Sequence, residues 1–188
     1  MPMHKLSRLK ELTQQRHVIR ITPTHRPDEK LYGIPLAVSD ELILLHEVRE
    51  FHLDGYLVLP LANIHGVRLK EAEITMHRIL TAEGALANLG LSDPVSLSSF
   101  ADFFSSLQAC GLLVSIEACE PQGKFYDDFF VLGKITDMDV RNVFVLPFDA
   151  AAQWEPEPVR VPLKRILTVT FNNEYMNTFA KYVGRPPV

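Results

Sequence analysis

Val58-Leu59-Pro60-Leu61-Ala62-Asn63-Ile64-His65-Gly66-Val67 is matched without a gap by Arg160-Val161-Pro162-Leu163-Lys164-Arg165-Ile166-Leu167-Thr168-Val169. Both stretches carry Pro-Leu-x-x-Ile-x-x-Val, with an apolar residue just before the proline. Upstream, Leu12 to Ile21 runs parallel to Leu107 to Ile116, again ungapped. A repeat of this length is too long for a solenoid unit and fits a small domain. The chain therefore reads as two copies of one domain.

Proline has no N–H for a strand ladder, so Pro60 and Pro162 each end a strand, and the following residues suit one short helical turn. Working outward in the first copy, Leu6, Leu9 and Leu12 predict a short amphipathic helix. Strands are expected at Val18–Ile21, Leu31–Val38, Leu42–Val48, Tyr56–Leu59 and Ile64–Leu69. Ser39-Asp40 marks one turn and Asp54-Gly55 a tight hairpin. In the second copy, Ser96 or Ser98 is expected to cap a helix carrying Phe100, Phe103, Phe104 and Leu107, which Gly111 ends. Strands follow at Leu112–Cys119, Phe129–Thr136, Val143–Phe148, Val159–Pro162 and Ile166–Phe171. Tyr175, Phe179 and Tyr182 suggest a closing helix. The expected domains are 1–70, a helical linker over 71–94, and 95–188.

The chain has 188 residues, with 47% hydrophobic and 22% charged, ordinary globular proportions. No apolar run reaches the length of a membrane span, and Met1-Pro2-Met3-His4-Lys5 lacks the apolar core of a secretory signal. Two cysteines, Cys110 and Cys119, lie in apolar segments and read as packed thiols rather than a disulfide scaffold. A soluble cytoplasmic protein that does not engage a membrane is expected. The net charge of −4 is unevenly spread. Through residue 26 the bases Lys5, Arg8, Lys10, Arg16, Arg20 and Arg26 face one acid, Glu11. Such an arm suits an anion or a phosphate backbone, or else a solvated helix face paired with acids elsewhere.

A short helix, five bent strands and one helical turn between strands four and five resembles the layout of Sm-like domains. This small SH3-type barrel family includes bacterial RNA chaperones. Gly33, Asp40 and Ile64-His65-Gly66 match the family pattern in the first copy. Gly133 and Asp137 or Asp139 match it in the second, where Ile166-Leu167-Thr168 lacks the glycine. Asp40 is not followed by the family's asparagine. The resemblance implies a mainly β fold with helices: two tandem Sm-like, SH3-type five-stranded β-barrels, each preceded by a short helix, with a helical linker and a C-terminal helix. It also implies edge strands that pair between copies, and His65 near the RNA-contacting site.

Catalytic patterns are missing. No G-x-S-x-G, Walker-type loop or glycine-rich dinucleotide turn occurs, so an enzyme is not expected and no cofactor is assigned. The seven histidines (4, 17, 25, 46, 52, 65, 77) all lie in the first half, and His46 and His52 flank a hairpin. None has the spacing that places two metal ligands on one element, so no metal site is assigned. The acidic pairs Asp127-Asp128, Asp137 with Asp139, and Glu155 with Glu157 lack the ordered spacing of a calcium loop. The clustered phenylalanines are expected in the core or between the domains, being interleaved with Asp102, Asp127 and Asp128 rather than with bases. Trp154, in an acidic loop, is a candidate partner anchor or a ring that folds back onto its own domain.

These features point first to a non-catalytic regulatory or scaffold protein acting through protein contacts. Its partners would be itself, as a pseudo-dimer within the chain or a small homo-oligomer, and an unidentified protein. The alternative is an RNA- or nucleotide-binding regulator using Lys5, Arg8, Lys10, Arg16, Arg20, Arg26 and His65.

Overall fold

The computed structural model describes residues 3–91, 94–122 and 125–187. Side chains of Met3, His4 and residues 120–122 and 125–128 are outside the description. The chain divides into two compact units, Met1–Ser92 and Asp93–Val188.

The first unit runs α1 (Met3–Gln15), β1 (Ile19–Pro23), β2 (Leu31–Val38), β3 (Leu42–Arg49), β4 (His52–Pro60), a 3-10 turn (Leu61–Asn63), β5 (Ile64–Arg68), α2 (Glu71–Ala82) and a second 3-10 turn (Ala85–Asn88). Its strands lie in the order β5-β1-β2-β3-β4, each antiparallel to its neighbour. The second unit runs α3 (Phe100–Cys110), β6 (Leu113–Gln122), β7 (Phe125–Met138), β8 (Asn142–Pro147), β9 (Val159–Pro162), a 3-10 turn (Leu163–Arg165), β10 (Ile166–Phe171) and α4 (Glu174–Phe179). Its order is β10-β6-β7-β8-β9, the same path through the same five positions.

The repeat extends to irregularities that no pattern of apolar residues encodes. In β2 the register slips between Pro35 and Ala37, and in β7 between Ile135 and Asp137, leaving Leu36 and Thr136 as matching bulged residues. The last strands bulge alike, at His65 and at Leu167. Bulges bend a strand and increase its twist, so both sheets curl at the same places. Gly33 pairs with Glu47 and Gly133 with Pro147, and in both copies the strand opposite crowds the glycine. A Cβ on Gly33 would sit 2.9 Å from the His46 carbonyl oxygen, and one on Gly133 2.0 Å from that of Leu146. Pro60 (φ −62°) and Pro162 (φ −66°) each open a 3-10 turn. The next N–H donates across the sheet, Leu61 to Glu41 O at 2.7 Å and Leu163 to Arg141 O at 2.8 Å.

Curling stops short of closure. Among the described residues no ladder joins β4 to β5 in the first unit, or β9 to β10 in the second, so neither unit closes, where five-stranded barrels with their fourth and fifth strands left as edges were expected. Three local expectations also move. The hairpin between β3 and β4 turns at Glu50 and Phe51, both left-handed (φ 44° and 64°), as a two-residue hairpin of this twist requires. Asp54-Gly55 instead forms a bulge within β4, with Gly55 at φ 73°. The α3 cap is Ser99, whose Oγ accepts from Asp102 N at 3.1 Å, rather than Ser96 or Ser98. Gly111, at φ 68°, ends that helix as expected. The closing helix stops at Phe179, leaving Tyr182 exposed beyond it.

The first sheet is buried on both faces. Alternation along β1 sends Ile19 and Ile21 to one face, where they pack with Leu9 and Leu12 of α1 and with Ile43, Leu45, Leu57 and Leu59. Val18 faces the other way with Ile34 and Val48, against Leu80 of α2. Residues 71–91, expected as a linker, are thus the cover of the second face. Leu80 is fully buried, and truncating such a leucine costs about 2–5 kcal/mol. Among the described residues no helix is long and apolar enough to cross a membrane.

Candidate functional site

The six bases of the N-terminal arm do not form one surface. Burial of Leu9 and Leu12 orients α1, leaving Arg8 and Lys10 exposed. Arg8 pairs with Glu11 at 2.8 Å, and Lys10 lies 3.9 Å from Asp40. Lys5 is half-buried: its Nζ donates to Leu61 O at 3.3 Å and to Ile64 O, tying the helix to the 3-10 turn. Burial lowers its pKa. Arg16 ends the helix in a left-handed conformation (φ 51°) and is exposed. Arg26 lies in the following loop, 3.6 Å from Glu29. Arg20 sits on the opposite face of β1 from Ile19 and Ile21, beside Arg68 and Tyr32 in the neighbouring strands. A contiguous run in sequence is therefore divided between two faces of one sheet, because strand alternation and helix docking act on it separately.

His65 is exposed at the bulge of β5. The adjacent Gly66 has open space where a Cβ would be, so packing does not demand a glycine there. Trp154 is half-buried, its ring edge-on to Phe148 at a centroid distance of 5.6 Å, with a backbone bridge between the two residues. Of the two expected placements of this ring, partner anchor or folded back, the contact with Phe148 is the second. Its indole Nε1 is buried without a hydrogen-bond partner among the described residues.

The polar chemistry of the first unit gathers beneath α2, where no sequence motif marks it. Arg68 holds the fully buried Glu73 through Nε (3.0 Å) and Nη2 (2.5 Å), and the Glu73 carboxylate also accepts from Lys70 N at 2.9 Å. Burial raises the Glu73 pKa, but the bonds from Arg68 and Lys70 outweigh it and hold the carboxyl below its ordinary value. One turn further along α2, His77 meets His17 at a ring-centroid distance of 4.3 Å. Burial, then the His17 charge, lowers the His77 pKa. His46 is buried against Tyr56 (4.7 Å), whose hydroxyl donates to Gly90 O at 2.6 Å. Burial lowers the His46 pKa, and Asp54 partly offsets this. His52 is exposed at the hairpin end of β4. Among the described residues no group of three or more His, Cys, Asp or Glu is placed to hold a metal ion.

The remaining expectations fall as follows. Phe103 and Phe104 are fully buried and pack with Phe100, with Phe103 meeting Phe171 at 5.8 Å, as core rings should. Cys110 is exposed rather than packed, whereas Cys119 is half-buried with Sγ 3.6 Å from Arg165 O; both are free thiols. Asp139 is a turn residue: its carboxylate accepts from Arg141 N (2.6 Å) and Asn142 N (2.8 Å). Ser39 fills the equivalent place in the first copy, accepting from Leu42 N at 2.9 Å. The side chains of Phe125, Tyr126, Asp127 and Asp128 lie outside the described residues.

One groove was not foreseen. It has a volume of about 290 Å³ and is walled in the second unit by Phe129 and Phe130 of β7, Phe148, Tyr175 of α4 and Asp149. Phe130 is 60% exposed and Tyr175 56%. The signal available in the sequence was the pair of adjacent phenylalanines, but it is the fold that brings Tyr175 to the same groove. No protein-family model matches the chain, and no curated protein or solved structure matches it.

Proposed function

We propose that this is a non-catalytic regulatory or scaffold protein, built from two copies of an Sm-like domain, that acts through protein contacts with a second copy of itself. The observation that carries the reading is the openness of the sheets. Among the described residues, β5 of the first unit pairs only with β1, and β9 of the second only with β8. A strand with one neighbour presents a row of N–H and C=O groups ready to pair with another strand. Joining two different edges, β9 of one chain to β5 of the next, is a head-to-tail contact that yields a ring if the rotation closes.

The hydrogen-bond phase of β9 supplies the test. Leu163 N donates to Arg141 O, which places the N–H groups of Val161 and Val159 toward β8 and that of Arg160 outward. Arg160→Pro would therefore remove an outward donor while keeping the ladder within the unit. Light scattering after size exclusion should show wild-type oligomers that dissociate in the variant. A wild type that is monomeric at every concentration, or a variant that assembles equally well, would end this reading.

A further inference from the structure

We infer that the aromatic groove of the second unit is a binding site for a small organic cation of the alkylammonium class, taken up as a free ligand. This inference is independent of the edge-strand contact. Among the described residues, the groove's lining contains four aromatic residues, Phe129, Phe130, Phe148 and Tyr175, and one acidic side chain, Asp149. That composition selects among ligands. A neutral apolar occupant would strip water from the carboxylate and leave it with the N–H donors of its own loop but no counter-charge. An anion would be repelled by it. A hard metal ion needs several oxygen ligands, and one carboxylate among aromatic rings does not supply them. An alkylammonium group satisfies both parts: its charge pairs with the carboxylate, and its methyl-rich surface packs on ring faces attracted to positive charge.

The site is built before any ligand arrives. Asp149 Oδ1 accepts from Ala151 N at 2.8 Å and Gln153 N at 2.9 Å, which fixes the carboxylate at the start of its loop. The loop is latched at its far end by Glu155 N donating to Pro147 O at 2.9 Å. Behind the groove the rings form a continuous stack. Trp154 abuts Phe148, Phe148 stacks on Phe179 at 5.2 Å, and Phe179 meets Tyr175 at 4.8 Å. Fixed walls lower the ordering cost that otherwise opposes binding of so small a ligand. The stack also couples the groove to the one tryptophan of the chain.

The experiment titrates the full chain with choline, followed by Trp154 fluorescence and by backbone amide NMR shifts. Parallel titrations use choline's neutral isostere, in which a quaternary carbon replaces the nitrogen, and a peptide carrying trimethyllysine. Choline should bind in the millimolar range or tighter, with shifts centred on residues 129–132 and 147–150, and about tenfold more tightly than the isostere. Phe130→Ala and Tyr175→Ala should each weaken it about fivefold or more. Asp149→Asn should weaken choline without changing the isostere. Phe130 and Tyr175 are more than half exposed, so their removal leaves the core intact, which circular dichroism would verify. Equal affinity for the isostere, no shifts with any probe, or binding of the peptide but not of choline would each overturn the inference.

Discussion

Replacing Gly133 by alanine should destabilise the second unit far more than replacing Gly33 destabilises the first, although the two glycines occupy the same place in the repeat. An added Cβ at Gly133 would lie 2.0 Å from Leu146 O, 2.7 Å from Leu146 C and 2.7 Å from Pro147 Cα. All three are backbone atoms of β8, so relief requires β7 and β8 to separate by more than an ångström. Overpacking a well-filled interior costs about 1–3 kcal/mol, and each ladder hydrogen bond broken adds about 1 kcal/mol. Against this, alanine narrows the unfolded ensemble and returns about 0.4–1 kcal/mol. Steric repulsion wins, and Gly133→Ala should lose about 3 kcal/mol or more. At Gly33 the nearest atoms, His46 O and Leu45 Cβ, are both 2.9 Å away, much less crowded than the 2.0 Å approach at Gly133. A shift of a few tenths of an ångström relieves that contact, so about 1 kcal/mol is expected. Urea unfolding would be followed by circular dichroism for the whole chain and by Trp154 fluorescence for the second unit. A Gly133→Ala midpoint within about 0.5 kcal/mol of wild type, or a larger effect at Gly33, would refute the argument.

Two further outcomes follow from the chemistry beneath α2. Glu73→Ala leaves Arg68 without its carboxylate and Lys70 N without its acceptor, and should cost about 2–4 kcal/mol in urea unfolding. Glu73→Gln should recover part of that loss, because it keeps an acceptor. The Glu73 contribution has a depressed-carboxyl sign. It is present above the unfolded carboxyl pKa and disappears as pH falls through the lower folded value. His46 and His77 have the other form of depression, since their neutral states are favoured in the fold. Below about pH 6.5 the unfolded chain takes up protons that the folded chain refuses, so stability should fall with pH until the folded values are passed. His77→Gln should flatten the plot of urea midpoint against pH between about 7 and 5; an unchanged slope would show that His77 does not contribute.

Much of the architecture was legible because it depends on backbone constraints that a residue type declares on its own. Pro60 and Pro162 lack an N–H and hold φ near that of a helical turn, so they mark the strand ends and the 3-10 turns in both copies. Gly111 announces a left-handed helix end. Other features depended on competition between neighbours. Asp54-Gly55 has the composition of a hairpin turn, yet the register of β3 against β4 needs a bulge there and moves the turn to Glu50-Phe51. The candidate site was less legible still. Six bases close in sequence suggested one patch, but α1 docks on one face of the sheet while alternation in β1 turns Arg20 to the other.

Apolar spacing and proline positions act locally and recur in step, so the order of residues alone carries one helix-and-five-strand pattern twice. What each unit presents at its surface is set by the folded chain. Whether a charge is paired, a ring is buried or a groove is lined depends on atoms brought together from distant positions. Tyr175 and Phe130 line one groove, and His17 meets His77, although each pair lies far apart along the chain.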